Sequence, residues 1–262
     1  MAYEFITYRV NERIAYVTIN RERVMNALHP DASVELRAAF TEFRDGDDAW
    51  VAILTGAGEH AFSAGNDLKA VAARSQAGEE EAAPVPFGGI TRDFECSKPI
   101  IAAVNGFALG GGFELAMACD IIIAAEHARF GLPEPRVGFV AAAGGMHRLP
   151  QHVGLKVAMG LLLTGRQVTA TTALQLGIVN EVVVPGQLMA AAGRWASEML
   201  ECSPVSLRIT KEAVLDGLGL STQAAMQADQ TSGRLDRLFS SEDFREGPSA
   251  FVEKRSPAWK GR

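Results

Sequence analysis

Two glutamates, Glu114 and Glu134, sit where a solvated surface acid has no obvious place. The first follows a glycine triplet in Leu109-Gly-Gly-Gly-Phe-Glu-Leu-Ala-Met117, and the second lies between prolines in Gly131-Leu-Pro-Glu-Pro-Arg136. A glycine triplet that opens an apolar helix leaves backbone N–H groups free, at the positive end of the helix, beside an acid. Oxyanion donors with two carboxylates can add water to an activated carbonyl compound or remove it. Each acid also has an ordinary reading. Glu114 in a first helical turn is stabilised by the dipole, by roughly 0.3–1 kcal/mol, and Glu134 alone would pass for a solvated loop acid. Twenty residues separate them, so only the fold can bring them together.

A second glycine turn, Phe62-Ser-Ala-Gly-Asn-Asp-Leu-Lys69, also leads into a helix. Its N–H groups would complete a two-donor oxyanion hole. The plainer reading is a capped helix start, with Asn66 or Asp67 as the cap. Other chemistries find no support. The chain has no G-x-G-x-x-G fingerprint, no Gly-Lys-Ser/Thr phosphate loop and no G-x-S-x-G elbow at Ser63 or Ser97. His29, His60, His127, His147 and His152 form no ligand set, so no metal is expected.

The elements that must position these residues follow from periodicity. Phe5 to Asn20 alternates as two strands around an Asn11–Arg13 turn, and Asp31 to Arg44 has helical spacing. Trp50–Thr55, Pro99–Val104, Ile121–Ala125 and Val182–Val184 read as strands. Gly112–Cys119, Leu155–Thr164 and Thr171–Gly177 read as helices. Ala70 to Ile90, rich in acids, prolines and glycines, is expected to be a mobile loop between two helices. Strand–helix–strand alternation predicts an α/β fold with parallel pairing. Beyond Pro185 the strand signal ends, and Gln187–Leu200, Pro204–Leu218 and Ser221–Phe239 read as three helices. The expected division is residues 1–185 as the α/β core with the site, and 186–262 as a helical section for oligomer contacts. The sequence itself contains no 20–50-residue repeat.

The 262 residues suffice for one large domain or one with a small appendage. A net charge of -6 argues against bulk electrostatic binding of nucleic acid. Cys96, Cys119 and Cys202 are scattered and read as reduced thiols, which points to the cytoplasm. The N-terminus lacks a signal-peptide core, and the apolar stretch after Pro99 is too interrupted to span a membrane.

Nearly end to end, these motifs resemble the enoyl-CoA hydratase/isomerase, or crotonase, superfamily. Asn20-Arg-Glu-Arg-Val-Met-Asn-Ala-Leu28, Phe62–Lys69, Pro99–Asp120, Phe130–Pro150 and Ala250–Arg255 carry the resemblance. It implies a crotonase-like ββα spiral core with a C-terminal helical oligomerisation section. It also implies an enzyme of acyl-CoA, and so of fatty acid, metabolism. The thioester oxygen would be held by the N–H groups of Asn66 and Gly111, with Glu114 and Glu134 as the acid/base pair. Both acids together favour a hydratase, which converts a 2-enoyl-CoA reversibly into a 3-hydroxyacyl-CoA. Arg23, Met25, Ala27, Ala64, Asn66, Asp67, Leu68 and Lys69 would line CoA, Ala142 the catalytic water, and Phe251 and Lys254 would approach CoA from an adjacent subunit. No cofactor beyond the CoA of the substrate is implied. The resemblance implies a homotrimer or a dimer of trimers.

Two departures stand out. Ala141-Ala-Ala-Gly144 replaces a Pro-Gly-x-Gly-type turn, and Asn66 replaces a small residue at the first donor. Pro86–Arg92 and Gly112–Ala116 also resemble carnitinyl-CoA dehydratases, which leaves a polar or charged acyl chain open. The alternatives are such a dehydratase, a 3,2-enoyl-CoA isomerase on the same fold, and a CoA-binding or scaffold protein without catalysis.

Overall fold

The apolar runs of the N-terminal half become strands buried on both faces, the pattern of a parallel sheet covered by helices. The computed structural model describes residues 3–76 and 85–262. Strands β1 (Ile6–Asn11) and β2 (Ile14–Ile19) form a hairpin in which Glu12 and Arg13 adopt positive φ of 49° and 64°. That left-handed pair matches the twist a two-residue hairpin needs. Helix α1 (Pro30–Asp45) begins at His29, whose Nδ1 accepts the Ala32 N–H at 3.1 Å. It ends at the ammonium of buried Lys98, which donates to the carbonyls of Phe43 at 2.7 Å, Ala49 at 3.0 Å and Gly46. A cation there satisfies the orphan carbonyls and complements the helix dipole.

The chain then winds through β3 (Val51–Gly56), β4 (Ala61–Ser63), α2 (Leu68–Gln76), β5 (Ile100–Val104), β6 (Phe107–Leu109), α3 (Gly111–Met117), β7 (Ile121–Ala125) and β8 (Arg129–Gly131). Each turn places one long strand in a six-stranded sheet, whose order is β1-β2-β3-β5-β7 and then β10 (Glu181–Val183), and one short strand in a four-stranded sheet, whose order is β4-β6-β8 and then β9 (Gln167–Thr169). This is the ββα spiral of the crotonase fold. The repeat invisible in the sequence is therefore a repeat of structure. Helices α4 (Gly145–His152) and α5 (Leu155–Thr164) lead to β9 (Gln167–Thr169), α6 (Ala170–Gln175) and β10 (Glu181–Val183).

Alternation along the long strands divides the core. Ala52, Leu54, Ala102, Val104 and Ala124 face the main interior with Phe40, Phe113 and Phe130. Val51, Ile53, Ile101, Ala103 and Ile123 face the other way. Helix α7 (Leu188–Leu200) covers that second face with Leu188, Ala191, Ala192 and Ala196, and the three alanines allow close approach to the sheet. Each large aliphatic buried in this way contributes about 1.5–3 kcal/mol. The remainder is α8 (Pro204–Gly217), α9 (Thr222–Thr231), α10 (Arg234–Ser240) and α11 (Glu242–Glu253).

Three expectations are corrected. Ser221–Phe239 is two helices, α9 and α10, interrupted at Ser232-Gly233. Glycine there costs a continuous helix roughly 1 kcal/mol. The stretch from Ala70 is not irregular from its start, because α2 runs to Gln76; its acidic part, 77–84, lies outside the described residues. Phe62 and Ser63 belong to β4 rather than to a loop.

No helix among the described residues is long and apolar enough to cross a membrane.

Candidate active site

Parallel pairing of β6 with β8 sets Leu109 opposite Gly131, and the Gly110 N–H donates to the Gly131 carbonyl at 2.9 Å. The chain leaving β6 thus enters α3 beside the chain leaving β8, which enters a short 3-10 turn, Glu134–Val137. This register brings Glu114, in the first turn of α3, to Glu134. Gly110 makes the turn with φ 55° and ψ -129°, a conformation open to glycine but not to residues with a Cβ. Gly112 meets a different need. A Cβ on it would lie 2.0 Å from the carbonyl oxygen of Ser63, so only glycine lets α3 approach β4.

Glu114 is 3% exposed. Its Oε1 accepts the Gly145 N–H at 2.8 Å, and the Ala143 N–H faces the carboxylate closely enough to favour its charge. Burial raises its pKa to about 7; the Gly145 N–H opposes that rise, the nearby Glu134 charge adds to it, and the Ala143 N–H and Arg148 oppose it. Burial likewise raises Glu134, with only its own backbone N–H to offset the effect. Glu134 Oε2 is buried and has no hydrogen-bond partner among the described residues. Two neighbouring carboxyls with raised pKa values, one of them carrying an unpartnered oxygen, have the character of a proton-exchanging pair.

The second glycine turn lies against the first. A Cβ on Gly65 would come within 3.0 Å of the Gly111 nitrogen. Among the described residues neither the Asn66 nor the Gly111 N–H donates to a protein acceptor. Two adjacent free donors, one of them at a helix N-terminus, have the geometry suited to an anion. The segment from Arg23 is laced to this turn by backbone bonds: Ala64 N–H to Met25 O at 3.0 Å, Leu28 N–H to Gly65 O at 2.8 Å, and Asp67 N–H to Leu28 O at 2.9 Å. The structure thereby gathers Arg23, Met25, Ala27, Ala64, Asn66, Asp67, Leu68 and Lys69 into one rim, on which Arg23, Asn66, Leu68 and Lys69 are exposed. Asp67 is already engaged, bonded by Arg21 at 3.2 Å and accepting the Ala70 N–H at 3.3 Å as the cap of α2.

Ala142 is exposed, and its N–H donates to Val140 O at 2.8 Å within its own loop. The N–H groups turned toward Glu114 are those of Ala143 and Gly145. Phe251, 84% exposed on α11, and Lys254, its C-cap, stand on a helix that packs against α10 and, through Asp243, against Ser203 before α8. Sequence reasoning passed over Arg148 and Phe87. The guanidinium donates to Ala143 O at 3.2 Å and to Thr91 O at 2.8 Å. The Phe87 ring lies where a Cβ on Gly111 would point, 2.4 Å from that position. No periodic signal marks either residue. Among the described residues no cluster of three or more His, Cys, Asp or Glu is arranged to hold a metal ion.

The family model for enoyl-CoA hydratase/isomerase matches residues 9–262. A carnitinyl-CoA dehydratase from Salmonella arizonae is 42% identical over 254 residues, covering 96% of each chain. The crystal structure of an enoyl-CoA hydratase from Mycobacterium tuberculosis H37Rv superposes with a TM-score of 0.91 at 37% identity, over 98% of this chain and 99% of that one. A probable enoyl-CoA hydratase/isomerase from Mycobacterium abscessus superposes with a TM-score of 0.90 at 37% identity, over the whole of both chains.

Proposed function

This chain belongs to the enoyl-CoA hydratase/isomerase family, and we propose that it acts as a hydro-lyase, adding water reversibly across the double bond of a 2-enoyl-CoA. The observation that carries this reading is the meeting of two raised carboxyls with two free N–H donors at the start of α3. The thioester carbonyl oxygen sits between the Asn66 and Gly111 N–H groups. It gains charge as the enolate forms, and each such donor contributes about 2.7–4 kcal/mol to the transition state. Glu114, oriented by the Ala143 and Gly145 N–H groups, positions the water and takes its proton. Glu134, whose Oε2 is free of the protein, gives a proton to the α-carbon. Dehydration reverses these roles. No cofactor is needed, because the thioester itself activates the alkene.

Arg23 and Lys69 on the rim are placed to meet the CoA phosphates, with Lys254 and Phe251 supplied by a neighbouring subunit. A trimer or a dimer of trimers is supported by the apolar side chains left exposed on the C-terminal helices, among them Val214, Leu215, Met226, Phe239, Phe244 and Val252. The reduced thiols fit a cytoplasmic location. A second reading, a dehydratase for a polar acyl-CoA of the carnitinyl type, is favoured by the 42% identity to enzymes of that name. The test is turnover of short, long, branched and cationic 2-enoyl-CoAs, followed by loss of the thioester-conjugated absorbance, and of a 3-enoyl-CoA, followed by its gain. Preference for a cationic acyl chain selects the second reading. Turnover of only a 3-enoyl-CoA makes the protein an isomerase, and no turnover of any substrate makes it a binding protein.

A further inference from the structure

We propose that Arg148 is a positioning residue, a strut that fixes the cradle of Glu114 to the segment carrying Phe87 and, through that ring, to the Gly111 turn. Arg148 lies on α4, one turn beyond Gly145, whose N–H holds Glu114, and close to Ala143, whose N–H faces the same carboxylate. Its Nη1 donates to Ala143 O at 3.2 Å and its Nη2 to Thr91 O at 2.8 Å. The Thr91 hydroxyl, buried, donates onward to Phe87 O at 2.6 Å. The Phe87 ring then packs against the backbone of Gly111, the candidate oxyanion donor. One guanidinium therefore ties together the two parts of the site that must hold opposite ends of the reacting group.

Two further observations fit a built strut. The segment that Arg148 grips is itself anchored to α1: the Gly88 N–H donates to Ser33 Oγ at 3.1 Å, and Arg37 donates to Asp93 O at 2.9 Å. The loop also makes room for the guanidinium. A Cβ on Gly144 would lie 2.0 Å from Arg148 Nη1, and Gly144 has a φ of 109°. Among the described residues Arg148 has no ion-pair partner, so its planar fork serves carbonyls rather than a carboxylate. The ionisable groups whose charges bear on it are Glu114 on α3, Cys119 just beyond the end of α3, and His152 on its own helix. Glu114 is faced in addition by Glu134. Arg148 is the only cation in this set, and it draws Glu114 down against burial and Glu134.

The inference rests on the proposed hydratase reading, so its test has an arm that needs no turnover. Arg148→Lys keeps the charge but offers a point donor that cannot bridge Ala143 and Thr91. Arg148→Gln keeps some hydrogen bonding and loses the charge. Glu114 is titrated by carboxyl infrared difference spectra, with Glu114→Gln as the reference, and kcat and KM are followed against pH. In Arg148→Gln the Glu114 ionisation should move upward. In Arg148→Lys it should stay near the wild-type value while kcat falls at least roughly tenfold with KM little changed. An unmoved ionisation in Arg148→Gln, or full kcat in a folded Arg148→Lys, overturns the proposal. If Arg148→Gln does not fold, the Lys variant decides alone. Wild-type protein that turns over no enoyl-CoA, yet shows the displaced ionisation, sinks the hydratase reading and leaves the strut standing.

Discussion

The Glu134 carboxylate lies over Gly110, with its Oε1 3.2 Å from where a Cβ on that glycine would stand. The acid thus rests on backbone that has no side chain, at a φ and ψ that only glycine holds without strain. Gly110→Ala is expected to cost about 1–3 kcal/mol of stability and to push Glu134 off its position. Denaturant unfolding and kcat measured on the same preparation check this. Unchanged kcat would separate Glu134 from the reaction.

Replacing either acid by its amide keeps shape and removes proton transfer. Glu134→Gln and Glu114→Gln are each expected to lose roughly 10²–10⁴-fold in kcat, and the double variant far less than the product, because the two act as one unit. Steady-state hydration assays decide the matter. Near-wild-type turnover by either single variant would end the two-carboxylate mechanism.

Burial also has a consequence for stability. Glu114 has an ordinary pKa of 4.5 and is raised to about 7 in the fold, so the native state holds its proton more tightly than the unfolded chain does. The stability contributed by the protonated form is complete below pH 4.5 and lost as pH rises through 7. The loss amounts to about 3 kcal/mol. Glu114→Gln is neutral at every pH, so its stability relative to wild type should improve between pH 5 and pH 8. Urea unfolding at the two pH values measures it; a difference that does not change with pH contradicts the burial argument.

The same ionisation should appear in the kinetics. The hydration rate is expected to rise through a transition near pH 7, because Glu114 must be deprotonated to accept the proton of water. The transition belongs to the coupled pair rather than to one residue. It should vanish from the residual activity of Glu114→Gln; its persistence there would assign it elsewhere.

Lys254 is tested through its charge and through assembly. A protein of net charge -6 must bind the CoA phosphates with a local basic patch. Lys254→Ala is expected to raise KM with little change in kcat, less so at high salt, and not at all for a pantetheine thioester without the nucleotide. An equal rise for the truncated thioester would point to a structural effect. Light scattering should find a trimer or a multiple of it, and an active monomer would remove Lys254 from any neighbouring site.

What the sequence determined by itself is local. Val51–Gly56, Ile100–Val104 and Ile121–Ala125 are apolar runs long enough to read as buried strands, and the amphipathic spacing of Pro30–Asp45 marks its helix. The glycine triplet beside Glu114 announced a turn with free N–H groups in the same way. What only the tertiary structure decided is every relation across the spiral. Strands β4, β6, β8 and β9 have three residues each, too few to show alternation, and unlike β10 they carry no run of valines, so the second sheet was illegible. Yet the register of β6 with β8 is what carries Glu134 to Gly110 and Glu114. Arg148 was silent for the same reason. Its partners, Ala143 and Thr91, are backbone carbonyls, which every residue type presents alike, so only the folded chain says which of them a guanidinium will find.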